Sequence, residues 1–130
     1  MGINRRDFLK GASSLALFSI VPSKVLGGPN HVAPSDQLTK GIIGVGGIGR
    51  SSYHFTSDER CRLVAVCDVD SNHVQKAVDL AKKKFNETVQ TYHDFRDLVK
   101  DPNVDVVHIA TPPHWHALMA IEAAKAGKDI

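Results

Sequence analysis

The sequence predicts an α/β chain folded as a doubly wound parallel sheet, and three observations carry that prediction. Short apolar runs alternate with stretches of helical periodicity, the pattern of βαβ units. The first run, Ile42-Ile43 with Val45, enters Gly44-Val45-Gly46-Gly47-Ile48-Gly49, which fits G-x-G-x-x-G. The second, Leu63-Val64-Ala65-Val66-Cys67, ends on Asp68, 19 residues after Gly49, close to the spacing at which an acid meets an adenosine ribose. A glycine hexamer alone is a weak signal. Strand, glycine turn, helix, strand and acid in that order make a strong one.

The elements follow in order. Residues 1–27 read as an address rather than a fold. Arg5-Arg6-Asp7-Phe8-Leu9-Lys10 resembles the twin-arginine export signal of bacteria. The apolar stretch from Gly11 to Val21 is too short for a bilayer, which needs about 20 residues, and so reads as the core of a signal peptide. Residues 28–37, with Pro29 and Pro34, form a linker, and 38–130 form the folded domain. Strands are expected near 41–45, 62–67, 88–91, 104–109 and 128–130. Between the first two a helix is expected to start at the glycine turn, with Gly49 letting it pack on the sheet. Ser71 is the expected N-cap of the next helix, with Val74, Ala77, Val78, Ala81 and Phe85 on its inner face. A short helix carries Phe95, Leu98 and Val99 and stops before Pro102. The last runs from near His114 to Ala126, with Leu118, Ile121 and Ala124 inward and Gly127 as its terminator. Right-handed crossovers give the strand order 3-2-1-4-5, reversing between strands 1 and 4.

Charge and cysteines narrow the function. Residues 1–27 hold four basic residues against Asp7, a net +3, while the whole chain is +2, so the remainder is −1. A near-neutral domain has no footprint for nucleic acid. Lys82-Lys83-Lys84 falls at a helix end, where cations suit the dipole. Cys61 and Cys67 bracket one strand and would lie roughly 20 Å apart, far beyond disulfide reach. His114 and His116, two residues apart on a helix start, point in different directions with no further ligand close by, so no metal is expected. His108 is expected to be a hydrogen-bonded core residue, and Trp115 to pack on the sheet or a neighbouring domain.

The glycine turn carries specific chemistry. Gly44 permits the tight turn, and Gly46 lets backbone approach a pyrophosphate, which would sit on free N–H groups at the following helix start. The loop Ala110-Thr111-Pro112-Pro113 after strand 4 opens on the same crevice.

Together with Cys67-Asp68-Val69-Asp70, the segment Thr111-Pro112-Pro113-His114-Trp115-His116-Ala117-Leu118 resembles the glucose–fructose oxidoreductase / inositol dehydrogenase family (Gfo/Idh/MocA), over about residues 38–130. The resemblance implies a Rossmann-type nucleotide-binding half. Gly44, Gly46, Gly47, Ile48 and Gly49 match the family's pyrophosphate turn and Asp68 its ribose acid. Ala110, Thr111 and Pro112 match the loop beside the nicotinamide-side ribose, and His116 the histidine of that element. Asp68 with no following arginine favours NAD over NADP, since a 2′-phosphate would face a carboxylate.

The family implies hydride transfer between the cofactor and a sugar or polyol. An NAD-dependent glycoside hydrolase using transient redox chemistry is the second expectation, and a non-catalytic remnant the third. Family members continue into a Glu-Lys-Pro element and a second domain, which supply the proton-transfer lysine and the substrate surface. This chain ends at Ile130 before them, so the sheet is expected to be incomplete at its C-terminal end and the catalytic residues to lie beyond. A fragment of this extent is expected to be silent on its own, and any homo-oligomer to form through the missing domain. The export machinery is the expected partner of residues 1–27, which implies a periplasmic or extracytoplasmic destination. Because that route carries folded proteins, a tightly held dinucleotide is expected to travel with the chain.

Overall fold

The computed structural model describes residues 32–51, 54–58 and 60–130. The signal read at 1–27 lies outside the described residues. Among the described residues, four strands form one parallel sheet: β1 (Leu38–Ile43), β2 (Cys61–Cys67), β3 (Gln90–Tyr92) and β4 (Val106–Ile109). Their order is β3-β2-β1-β4, with every pair parallel, so the predicted reversal beside β1 is present. The predicted fifth strand at 128–130 is reduced to a single parallel bridge between Val106 and Asp129, on the expected side of β4.

Alternation along the strands sends side chains to two cores. On one face Ile42, Leu63 and Val66 pack with Phe55 against helix α1 (Ser71–Phe85), through Val74, Ala77 and Ala81. On the other, Ile43, Ala65, Cys67 and Val107 meet α2 (Phe95–Lys100) and α3 (Pro113–Lys125) through Phe95, Leu98, Val99, Met119 and Ala123. Helices therefore cover both faces, as a doubly wound sheet requires. A register shift after Lys40 leaves Val64 as the extra residue of β2, and it joins Ala65 on the α2 side. At the start of β4, Asp105 Oδ2 accepts from the Thr39 amide at 2.8 Å and its hydroxyl at 2.7 Å, pinning β1 to β4.

Local chemistry explains the helix ends. Asp70, not Ser71, is the N-cap of α1: its carboxylate accepts from Asn72 N–H at 2.8 Å, and Ser71 is already helical. Asp94 caps α2 in the same way through Arg96 N–H at 2.9 Å. α1 ends on Asn86 at φ 56°, its last turn carrying Lys82, Lys83 and Lys84. α3 ends as predicted at Gly127, with φ +73°. Gly127 N–H donates to Ala124 O and Lys128 N–H to Ala123 O, both at 3.0 Å, which closes a Schellman motif.

Three expectations are corrected. No regular helix follows the glycine turn among the described residues; residues 47–50 are hydrogen-bonded turns. Phe55 N–H donates to Ser51 O at 2.9 Å, and the Phe55 side chain enters the core. The inward face of α3 is Met119 and Ala123, whereas Leu118, Ile121 and Ala124 are exposed. The helix is apolar nearly all round, so periodicity alone could not say which stripe meets β4 and α2. His108 is half-buried and packs edge-on against the ring of His54, with centroids 5.0 Å apart, rather than joining either core.

Candidate cofactor site

The sheet brings three strand ends to one edge. Gly44 N–H donates to Cys67 O at 2.8 Å, Asp68 N–H to Tyr92 O at 3.2 Å, and Ala110 N–H to Ile43 O at 2.8 Å. The loops that leave β1, β2 and β4 thus open on the same side. Between them lies a cavity of about 770 Å³, reaching from the glycine turn and Asp68 to Thr111 and Pro112. It occupies the switch point between β1 and β4, where open α/β sheets bind ligands at the carboxyl ends of their strands.

Gly44 is the residue this edge depends on. It takes φ +87°, and a Cβ there would lie 2.9 Å from the carbonyl carbon of Ala110 and the amide of Thr111. Only glycine lets the β1 turn and the β4 loop touch. A Cβ at Gly49 would run into the Gly44 carbonyl oxygen, so the glycine closes the turn on itself instead of packing a helix. Gly46 and Gly47 line the cavity, and a Cβ on Gly47 would meet nothing within 4 Å. Bare backbone here faces open space, the form a pyrophosphate cradle takes.

Asp68 is fixed from both sides. Its Oδ2 accepts from Val45 N–H at 2.9 Å and its Oδ1 from Asp70 N–H at 3.0 Å. A carboxylate has about four lone-pair positions, so two remain for a diol at the cavity wall. The side chain is only 11 % exposed, which holds it in one orientation.

Most of the predicted residues converge on this cavity. Gly44, Gly46, Gly47, Ile48, Asp68, Ala110, Thr111 and Pro112 line it, whereas Gly49 and His116 do not. His116 acts one step back: its Nε2 lies 2.7 Å from Thr111 O, tying the loop to the first turn of α3. Thr111 Oγ1 donates to Met119 Sδ at 3.5 Å, a second tie between the loop and the helix. Trp115 is 44 % exposed and also faces the cavity. Cys67 lines the floor, but burial pushes its thiol up to about 12, so it stays protonated and serves as packing.

Sequence reasoning missed the opposite wall. His73, from the first turn of α1, stands with Nδ1 3.4 Å from Asp68 Oδ2 and its ring beside Gly46. His93, Asp94, Phe95 and Arg96 complete the wall, with the Arg96 guanidinium 4.8 Å above the Phe95 ring. An N-cap acid two residues after Asp68 was the available signal, since it turns the first turn of α1 back over the glycine turn.

This arrangement is matched by a known family. Residues 38–130 fit the model of the Gfo/Idh/MocA oxidoreductase family, NAD-binding Rossmann fold. The chain belongs to that family. Among curated relatives it is 35 % identical over 149 residues to glycosyl hydrolase family 109 protein 2 of Shewanella sp. strain ANA-3, covering 98 % of this chain and 32 % of the relative. A family 109 protein of Shewanella baltica strain OS155 is 33 % identical, covering 97 % and 32 %. The chain thus spans about a third of the length of these relatives. Among solved structures it resembles scyllo-inositol dehydrogenase from Lactobacillus casei with bound NAD(H) and scyllo-inositol, with 26 % identity and a TM-score of 0.59 over 71 % of this chain and 26 % of that one. Myo-inositol 2-dehydrogenase from Lactobacillus plantarum gives 30 % identity and a TM-score of 0.58 over 71 % and 26 %. The chain is therefore an NAD-binding Rossmann domain of an oxidoreductase family.

Proposed function

We propose that the chain is the cofactor-binding half of an exported NAD-dependent oxidoreductase acting on a sugar or polyol. The observation that carries this is Asp68, a carboxylate fixed by two backbone N–H groups beside an uncovered glycine turn. The residues present fit the dinucleotide. Asp68 would hold the adenosine ribose, Gly46 and Gly47 the pyrophosphate, and Ala110, Thr111 and Pro112 the nicotinamide-side ribose. When bound, the cofactor supplies hydride transfer. The chain's own part is to bind it, to orient it through the loop that His116 ties down, and to keep water from the cavity floor at Ile43 and Cys67. The inositol dehydrogenases it resembles support a polyol or sugar as substrate.

Export is supported by the arginine pair Arg5-Arg6 ahead of the short apolar stretch from Gly11 to Val21. A second reading is favoured by the Shewanella relatives, whose names are glycosyl hydrolases. In that case the cofactor cycles within one turnover and no net redox change results. Net NADH accumulation from a polyol by the whole protein supports the dehydrogenase, whereas aglycone release without it supports the hydrolase.

The binding claim is tested on the chain itself. Calorimetric titration should show NAD binding, and Asp68→Ala should weaken it at least about tenfold, the size of losing a hydrogen bond to a charged group. Equal affinity in the variant would refute the assignment.

A further inference from the structure

We infer that His73 sets cofactor choice: in its protonated form it offsets the Asp68 carboxylate and admits a 2′-phosphate, so discrimination between NAD and NADP depends on pH. The inference rests on the cofactor reading of the cavity. Its basis is placement. His73 Nδ1 is 3.4 Å from Asp68 Oδ2, and its ring carbon and Nδ1 lie 3.6 Å from where a Gly46 Cβ would stand. It therefore sits between the ribose acid and the pyrophosphate turn, and it lines the cavity while remaining 37 % exposed.

The other charged groups around it are few. Asp70, its own helix cap, lies 3.8 Å from Nε2. The glycine turn contributes Arg50, whose Nε donates to Gly46 O at 3.0 Å. His93, Asp94 and Arg96 stand on the cavity wall, with Arg96 paired to Asp94 at 3.2 Å. Among the described residues, His73 is the titratable side chain that pairs with Asp68. Imidazole is the side chain that changes charge between about pH 5 and 8. With His73 neutral, a 2′-phosphate meets an uncompensated carboxylate. With His73 charged, the Asp68–His73 pair is neutral and only the more exposed Asp70 carboxylate, 3.8 Å from Nε2, is left uncompensated. NAD has no such phosphate and feels little of the change.

The test is titration of the full chain with NAD and with NADP at pH 6 and pH 8. The ratio of NADP to NAD affinity should rise at the lower pH by roughly three- to fivefold, the scale of a partly exposed charge pair. The 2′-phosphate itself gains a proton near pH 6, so a smaller slope should persist in His73→Gln. His73→Arg, permanently charged, should restore a raised ratio at pH 8, above that of the unsubstituted chain, and keep only the smaller slope that comes from the phosphate. A purely structural role for His73 would not give that restoration. Equal pH slopes in the unsubstituted chain and His73→Gln, with NAD binding intact, would overturn the inference and leave the cofactor reading standing. Absence of NAD binding at both pH values would overturn both.

Discussion

Helices α1 and α3 are of similar length, 15 and 13 residues, yet the fold treats them differently. α1 lies over the middle of the sheet, opens on a carboxylate cap and buries one clear stripe, Val74, Ala77 and Ala81. α3 lies over β4, the outer strand, and opens at Pro112-Pro113 with no side-chain cap. It buries only Met119 and Ala123 and leaves Trp115, Leu118 and Ile121 exposed. A stripe on α1 has one partner and can be read from spacing. α3 carries two apolar stripes, and only contact with a neighbour decides which is inside.

The largest effect separates the two helices directly. Ala77→Asp puts an unpaired charge into the core formed by Ile42, Leu63 and Phe55, at a cost of about 3 to 5 kcal/mol. A domain of about a hundred residues has little more than that to lose. Thermal unfolding should lose its cooperative transition. Ile121→Asp should shift stability by less than about 0.5 kcal/mol, as for other exposed positions. A comparable loss in both variants would mean that the outer stripe of α3 is covered in solution.

The same contrast explains what could be read in advance. The glycine turn and Asp68 were legible because each is a local signal at the end of an apolar run, and parallel pairing then brings them together. His73 and Arg96 were not, because their roles depend on how the first turns of α1 and α2 lie over that edge. The resemblance singles out His116 within the cofactor loop, and only the structure shows its contact there, with Nε2 on the Thr111 carbonyl. The glycine turn itself, with Gly49 placed to pack a helix on the sheet, predicts a helix directly after it. Hydrogen-bonded turns occupy 47–50 instead, and Gly49 packs against Gly44.

A middle-sized effect compares two glycines with positive φ. Gly44 at φ +87° has backbone 2.9 Å from its absent Cβ, while Gly127 at φ +73° has nothing within 4 Å. Gly127→Ala should therefore cost only the conformational strain, about 1 to 2 kcal/mol. Gly44→Ala adds a backbone clash to that strain and should cost more, with NAD binding lost because the β1 and β4 loops separate. Denaturant midpoints together with NAD titration distinguish the two. If Gly127→Ala also abolished NAD binding, the end of α3 would be coupled to the site more tightly than its contacts indicate.

The smallest effect is a pH dependence present at the start of α1 and absent from the start of α3. The carboxyl of Asp70 is held below its usual range, chiefly by the Asn72 backbone N–H and further by the Asn72 side chain and His73. Asp94 is lowered in the same way by the Arg96 backbone N–H and the charge of Arg96. A carboxyl lowered on folding contributes stability above its unfolded value, about 3.9, and loses it as pH falls through the folded value. Melting temperature should therefore decline from about pH 5 downward as these caps protonate. Asp70→Asn keeps a capping oxygen but removes the titration, so its melting curve should fall less steeply over that range. α3 has no acidic residue in its first turn, and hydrogen-exchange protection there should follow only the global decline. An Asp70→Asn slope matching that of the unsubstituted chain would show that the cap hydrogen bond persists when the carboxyl is protonated.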